Sequence, residues 1–409
     1  MRLSRRYWSR GLLAIATCAS TAALPLLVGT ASAAPSPAAS APAPAAPTVV
    51  PALFAGPPPN ATNPDDITQL DYLVYVTFQN NAGKDGAPAG SFSTIAAYKA
   101  STGALVTTYT VTGRCDGLTA DPKHHQLLAS VNEDNNSSLF VIHPGQAAPV
   151  HYTYSPNPAE TGSDGLNGGT DAISIAPDGT AYVAHSNPDV NQPAPNNTAA
   201  VYTLTLAGTT AKLTRLFGVN DTAQVINPAP GAPRSAPLGL TDPDSNRFLP
   251  GDGGGTLIQD AQGDSKLVLA TKLHAAKPEL RQLLLSNAAP TSSGKAATPQ
   301  LDDLARVNGA GRLLVVDQKG NKIYSIDTRT IRPGTVFVSQ PAPSAGDMPN
   351  DPALGVVDLS TGVVTHLAAP FVSPKGLLVI PARHHQDDNG NDNQDNGQNH
   401  DGQHQTGQH

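Results

Sequence analysis

Four aspartates stand at comparable places along the chain. Asp116 opens Asp116-Gly117-Leu118-Thr119-Ala120-Asp121-Pro122, Asp171 opens Asp171-Ala172-Ile173-Ser174-Ile175-Ala176-Pro177, and Asp302 with Asp303 opens Asp303-Leu304-Ala305-Arg306-Val307-Asn308. Each introduces a short apolar run, then a turn, then a second apolar run. Asn132, Glu133, Asp134, Asn135, Asn187 and Asp317 stand at or beyond the ends of those second runs. Carboxylate and amide oxygens are hard donors, and calcium accepts about six to eight of them in flexible geometry. Asp116, Asp171, Asp302, Asp303, Asn132 and Asn187 drawn to one place would therefore hold a divalent cation. The same residue types also serve strand entries as turn and capping groups. Both readings stand on the sequence.

The remaining reactive residues offer less. The chain has no Gly-x-Ser-x-Gly elbow, His-Glu-x-x-His helix, phosphate loop or paired Cys motif. Gly251–Gly255 lacks the Lys-Ser/Thr and helix that a phosphate loop requires, so it reads as a loop. Asp242-Pro243-Asp244-Ser245-Asn246 alternates oxygen side chains as a calcium loop does. Arg247 stands where such a loop needs Gly, and no Glu follows at its end, so an Asx-rich turn is expected. His185, beside Asn187, is a candidate base or ligand at the end of a second run, or a packed histidine. His124-His125 reads as an exposed turn. Cys115 beside Asp116 is disfavoured as a thiolate and reads as structural.

The elements that must position these groups are strands. Tyr72–Phe78, Leu127–Val131, Leu139–Ile142, Val201–Leu206, Leu213–Phe217, Lys266–Ala270, Leu313–Val316, Ile323–Ile326 and Thr335–Val338 are β-branched or aliphatic runs separated by Gly, Asn, Asp and Pro clusters. That pattern predicts an all-β sandwich, barrel or propeller. Ala275–Leu285 is the one long helical candidate.

Internal repeats select the architecture. The opening run, turn and second run recur after Asp116, Asp171 and Asp303, and Pro374-Lys375-Gly376-Leu377-Leu378-Val379-Ile380-Pro381 repeats the opening run alone. A hairpin recurs as Ala97–Val106 and Val356–Val364, each turning on Ser-Thr-Gly, with Gly at the position that needs positive φ. Together these give four antiparallel strands per unit, the blade of a β-propeller. Tyr72–Phe78 with the first hairpin lacks an opening strand, and Lys375–Ile380 lacks successors. Joining these N- and C-terminal strands would complete a blade and close the ring, leaving no free edge. Six blades are favoured, with five or seven compatible.

These opening strands and Ser-Thr-Gly hairpins resemble secreted bacterial β-propellers of the YVTN, NHL and SMP-30/gluconolactonase type. The likeness spans most of residues 65–383 and is specific for fold rather than function, since propellers host enzymes and binding modules alike. The lactonase resemblance implies Glu, Asn and Asp around one divalent metal at the channel mouth, although no complete ligand set matches here.

The flanks read as an address, a spacer and a tail. Arg2, Arg5, Arg6 and Arg10, an apolar stretch from Gly11 to Val28, and Ala31-Ser32-Ala33 form a signal peptide over residues 1–33. Ser4-Arg5-Arg6-Tyr7-Trp8 resembles a twin-arginine signal, so either that route or the general one leads to a secreted, extracellular or cell-envelope location. Residues 34–64 form a Pro/Ala-rich linker, 65–383 the propeller, and 384–409 a His/Asp/Asn/Gln-rich tail that buries nothing apolar and is expected to be disordered. Imidazoles in that tail offer weak metal binding without preset geometry. No stop-transfer segment follows the signal. Of 409 residues only 14% are charged, and loss of the signal leaves 21 basic against 32 acidic residues. That balance argues against nucleic acid and anionic membranes. The first reading is a binding module for an envelope protein, glycan or small ligand. The alternative is a divalent-metal-dependent hydrolase of the lactonase kind, using Asp171, Asp302 or Asp303 with Asn132 or Asn187 at the channel mouth.

Overall fold

A computed structural model describes residues 47–162, 168–191, 198–249, 255–289, 298–343 and 351–382. The signal peptide, the tail and Gly251–Gly254 lie outside the described residues. The regular elements described are strands, apart from two short 3-10 turns at Pro158–Thr161 and Gln262–Asp264.

Five hydrogen-bonded sheets carry the chain. The first runs Pro64–Leu70, Leu73–Phe78, Phe92–Lys99, Leu105–Thr112, each antiparallel to the next. Cys115–Asp121, Gln126–Val131, Ser138–Ile142 and Val150–Ser155 repeat that order, as do Gly169–Ile175, Ala181–Ser186, Ala199–Ala207 and Thr210–Gly218. A short parallel contact of Thr210–Lys212 with Thr153–Ser155 joins these two groups into one eight-stranded sheet. Pro243–Leu249, Thr256–Ala261, Lys266–Thr271 and Glu279–Leu284 follow, extended outward by Thr222–Val225 and Ser235–Pro237. The innermost strands neighbour one another in a ring: Pro64–Leu70, Cys115–Asp121, Gly169–Ile175, Pro243–Leu249, Asp303–Arg306, Pro374–Pro381 and back to the first. This is a β-propeller. No helix among the described residues is long and apolar enough to cross a membrane.

Ring closure joins terminal strands, but not the pair expected. The first sheet already owns an inner strand, Pro64–Leu70, so Tyr72–Phe78 needs none from the C-terminus. Its polar sequence hid it, and its polar groups are satisfied by neighbours. Thr68 Oγ1 accepts Ala120 N at 3.1 Å, and Asp66 Oδ2 accepts Leu118 N at 2.7 Å. Pro374–Pro381 instead pairs with Gly311–Asp317, then Lys322–Asp327, then Ala52–Ala55. The strand Ala52–Ala55 therefore lies inside the segment read as a spacer, with Val49 before it already buried. Asp303–Arg306 likewise does not pair with the run after it. Its partner is Val336–Gln340, which continues to Ala353–Val357 and Val363–His366. Leu313–Val316 is buried on both faces, so no alternation in the sequence announced which sheet it joins.

Ala275–Leu285 is not helical. Pro278 would break a helix there, and Glu279–Leu284 pairs with Lys266–Thr271. Apolar clusters fill the wedges between neighbouring sheets. At the closure, Val74, Val76 and Phe78 meet Leu314, Val316 and Ile323. Each such side chain removed from water contributes about 1.5–3 kcal/mol, which seals a ring that carries no covalent latch.

Candidate functional site: a carboxylate ring at one end of the channel

The second residues of inner strands converge. Asp65, Asp116, Asp244 and Lys375 occupy that place, and Asp171 and Asp302 stand at the same level. All six line one polar cavity of about 90 Å³ at the channel end, together with Glu133, Asp242, Lys84 and Arg114. The residue following each is small or committed to the ring. A Cβ on Gly117 would lie 2.4 Å from Asp171 O, and one on Gly376 would lie 2.5 Å from Asp65 O, so these positions need glycine for close approach. Asp66 and Asp303 instead bridge to the next inner strand, through Leu118 N and Leu377 N, both at 2.7 Å.

Lys375 completes the ring as its cation. Its Nζ lies 2.9 Å from Asp65 Oδ1 and 2.7 Å from Asp302 Oδ1, its two neighbours around the ring. Burial alone would pull this ammonium down, but Asp302 and Asp65 hold it well above the ordinary lysine range. Burial raises Asp171 and Asp244 far above the usual carboxylate range, and each raises the other or is raised by further acids nearby.

A second pair of carboxyls is split in the opposite sense. Arg114 Nε lies 3.2 Å from Asp116 Oδ1, and its Nη1 lies 3.4 Å from Glu133 Oε1. Burial pushes Asp116 up to about 8 against the pull of Arg114, with Glu133 adding to the rise. Burial also opposes ionisation of Glu133, but Arg114 and Lys84 prevail and hold it below the ordinary range. The two carboxyls are thus shifted in opposite directions, with a guanidinium between them. Asp116 is 7% exposed, and its Oδ2 has no hydrogen-bond partner.

Of the six residues expected to gather, Asp116, Asp171, Asp302 and Asp303 line this cavity. Asp303 is spoken for: Arg247 Nε donates to its Oδ1 at 2.8 Å, and Leu304 N donates to the same oxygen at 2.6 Å. The two amides stand outside the cavity lining. Asn132, at φ 67°, accepts Arg114 N at 2.9 Å and donates to Asn136 O at 3.1 Å. It fixes the backbone that carries Arg114. Asn187, at φ 47°, donates to Asp134. Among the described residues no three His, Cys, Asp or Glu side chains are disposed to hold one ion. Lys375 and Arg114 sit between carboxylates that such an ion would share.

Sequence reasoning missed Asp65, Asp244, Lys375 and Arg114. The stretch Asp242–Asn246 is the entry of an inner strand rather than a free turn, and Asp242 and Asp244 both face the cavity. The signal for Asp65 and Lys375 was their place before small or acidic residues and an aliphatic one, as in Asp116-Gly117-Leu118 and Lys375-Gly376-Leu377. His185 is fully buried, its Nδ1 donating to Ala199 O at 2.8 Å, and burial lowers it to about 4, so it is a packed neutral histidine. Cys115 is buried and its thiol raised, first by burial and then by Asp116. His124 and His125 sit in an exposed turn, paired with Asp121 and Asp71.

No family model and no curated protein matches the chain. Solved structures do. Periplasmic gluconolactonase of Pseudomonas aeruginosa matches at 10% identity and a TM-score of 0.44, covering 78% of this chain and 88% of that one. A Lactobacillus plantarum protein matches at 12% identity and 0.41, covering 78% and 89%, and hydrazine synthase of Kuenenia stuttgartiensis at 13% and 0.38, covering 73% and 67%.

Proposed function

We propose that this exported propeller is a hydrolase of small lactones or esters, acting at the carboxylate ring by general acid–base chemistry. The observation that carries the reading is the Asp116/Glu133 pair on Arg114, whose surroundings push two neighbouring carboxyls toward opposite protonation states. Such divergence marks an acid and a base working at one pH.

The chemistry follows from the groups present. Glu133 takes a proton from water as the oxygen of that water bonds to the carbonyl carbon. The Arg114 guanidinium faces the charge that develops on the carbonyl oxygen. As the carbonyl re-forms, the acyl C–O bond breaks and Asp116 gives its proton to the leaving alkoxide. A lactone gives a hydroxy acid and an ester gives an acid and a separate alcohol, and proton exchange with solvent returns Glu133 and Asp116 to their starting states. Lys375, held protonated between two aspartates, is an electrostatic support and no nucleophile.

The test is a pH profile of kcat/KM for metal-stripped protein on a panel of hydroxylated lactones and simple esters. It should be bell-shaped, falling above about pH 8 as Asp116 ionises and falling in acid as Glu133 protonates. Asp116→Asn and Glu133→Gln should each lower kcat by about 10²–10⁴-fold. No turnover of any lactone or ester, with binding of such compounds retained, would return the protein to a binding module. A calcium arm is included because Asp116, Asp171 and Asp302 share the cavity. A rate that requires calcium would replace this mechanism with a metal-assisted one.

A further inference from the structure

The two ends of the channel differ in kind. Away from the carboxylate ring, the later residues of Pro243–Leu249, Asp303–Arg306 and Pro374–Pro381 enclose a groove of about 610 Å³. Phe248, Ala305, Leu378 and Val379 line it, and each is only partly covered by the core it packs against. Of the described lining residues the charged ones are Arg247 and Arg306, and none is acidic, in a chain whose formal net charge is −7. Arg247 is engaged by Asp303, Asp66 and Leu377 O, so its charge is already met. Arg306 is not engaged. Its strand pairs with Val336–Gln340, but among the described residues no carboxylate, carbonyl or ring meets its guanidinium. Of its three side-chain nitrogens Nε alone is fully covered, so the Nη end of this half-buried head meets open space. Such a cation has given up part of its hydration without gaining an anion.

We infer that this groove binds an amphipathic monocarboxylate, with Arg306 on the carboxylate and Phe248 and Leu378 along an aliphatic body. A guanidinium offers paired donors that match the two oxygens of a carboxylate. One unengaged cation suits one negative charge, whereas a dianionic phosphate would leave a charge unmatched beside apolar walls. The chain's own C-terminal segment departs from Ala382, which also lines the groove, and Asp387 and Asp388 follow soon after. Residues 384–409 hold no aliphatic side chain and no Phe, Tyr or Trp, so they match the arginine but not the walls. A free amphiphile matches both.

Isothermal titration of the full chain with decanoate, octanoate and decanol, each below its aggregation concentration, tests the site. Decanoate should bind saturably. Octanoate should bind about tenfold more weakly, since each buried methylene is worth about fourfold in affinity. Decanol should also bind at least about tenfold more weakly, for want of the charge. Arg306→Met should bring decanoate down to the level of decanol, and Arg306→Lys should restore part of the difference. Both variants should melt as the parent does, because neither leaves an anion without its partner. Equal affinity of the parent for decanoate and decanol would overturn the inference, as would decanoate binding unchanged in Arg306→Met. No binding by the parent, with binding gained when Asp387 and Asp388 are both changed to Asn, would assign the groove to the C-terminal segment and overturn it too. No binding in either chain has the same consequence. The hydrolase reading stands or falls separately, since its residues line the other end of the channel.

Discussion

The two Ser-Thr-Gly hairpins test how loops lock this ring, and they come with an internal control. Gly362 has φ 76°, and a Cβ there would lie 2.0 Å from Leu284 O in the adjoining sheet. Asn227 clips the same place, its Nδ2 donating to Leu284 O at 2.8 Å and to Thr361 O at 2.7 Å. Gly103 repeats the geometry, with φ 71° and a Cβ position 2.0 Å from Phe54 O. Gly208 also has positive φ, 60°, but nothing lies within 4 Å of its Cβ position. Left-handed backbone costs alanine about 1–2 kcal/mol, so Gly208→Ala should lose about that and no more. Gly362→Ala adds an overpacking cost of about 1–3 kcal/mol, because a backbone oxygen held by Asn227 must move. The variant should therefore unfold several degrees lower than Gly208→Ala, at about 2–4 °C per kcal/mol for a large domain. Gly103→Ala should fall between the two, since Ala52–Ala55 has one partner strand and can shift more easily. The assay is thermal unfolding, with urea midpoints at unchanged slope as the check. Equal losses for Gly362→Ala and Gly208→Ala would refute the argument that close approach, beyond backbone conformation, sets the need for glycine here.

Other outcomes follow from the charges. Arg247 spans the channel from Asp303 to Asp66 and Leu377 O, so Arg247→Met should destabilise by about 3–5 kcal/mol, and adding Asp303→Asn should recover part of that loss in urea titrations. Asp242 is raised by burial and then by Glu133 to about 6, so the folded state holds its proton more tightly than the unfolded chain does. Its contribution to stability is unpenalised below about pH 4, declines as pH rises toward 6, and is flat above. Asp242→Asn should therefore be about 1–3 kcal/mol more stable than the parent at pH 7 and equal to it at pH 3.5, measured by thermal melts across pH. Asn132→Ala, which frees the Arg114 backbone, should lower kcat on any lactone that is turned over while leaving both limbs of the pH profile in place.

Much of the fold was legible because propeller blades repeat a chemical pattern as well as a strand order. Asp at a strand entry, a run ending near Pro, and a short polar turn marked the inner and second strands after Asp116 and Asp171 in their true pairing. The hairpins at Gly103 and Gly362 were placed for the correct backbone reason, but their second reason, a carbonyl of another sheet at contact distance, exists only in the folded ring. Closure was less legible. Strands buried on both faces carry no register of their own, and nothing in Leu313–Val316 tells a reader that Pro374–Pro381 and not Asp303–Arg306 lies beside it.

The site was legible as a class of residue but not as a charge balance. Aspartates at strand entries suggested oxygen ligands for a metal, and those aspartates do converge. The sequence could not show that one ring position is filled by Lys375, whose ammonium lies between Asp65 and Asp302. Nor could it show that Arg114 stands between Asp116, on an inner strand, and Glu133, in the bend beyond Gln126–Val131. Those two cations change what the carboxylates can do. A ring of free carboxylates would bind a cation, whereas carboxylates partnered from within divide into protonated and ionised members. In the hydrolase proposed above, that division supplies the donor and the acceptor, so the proposed chemistry depends less on the aspartates than on the lysine and arginine set among them.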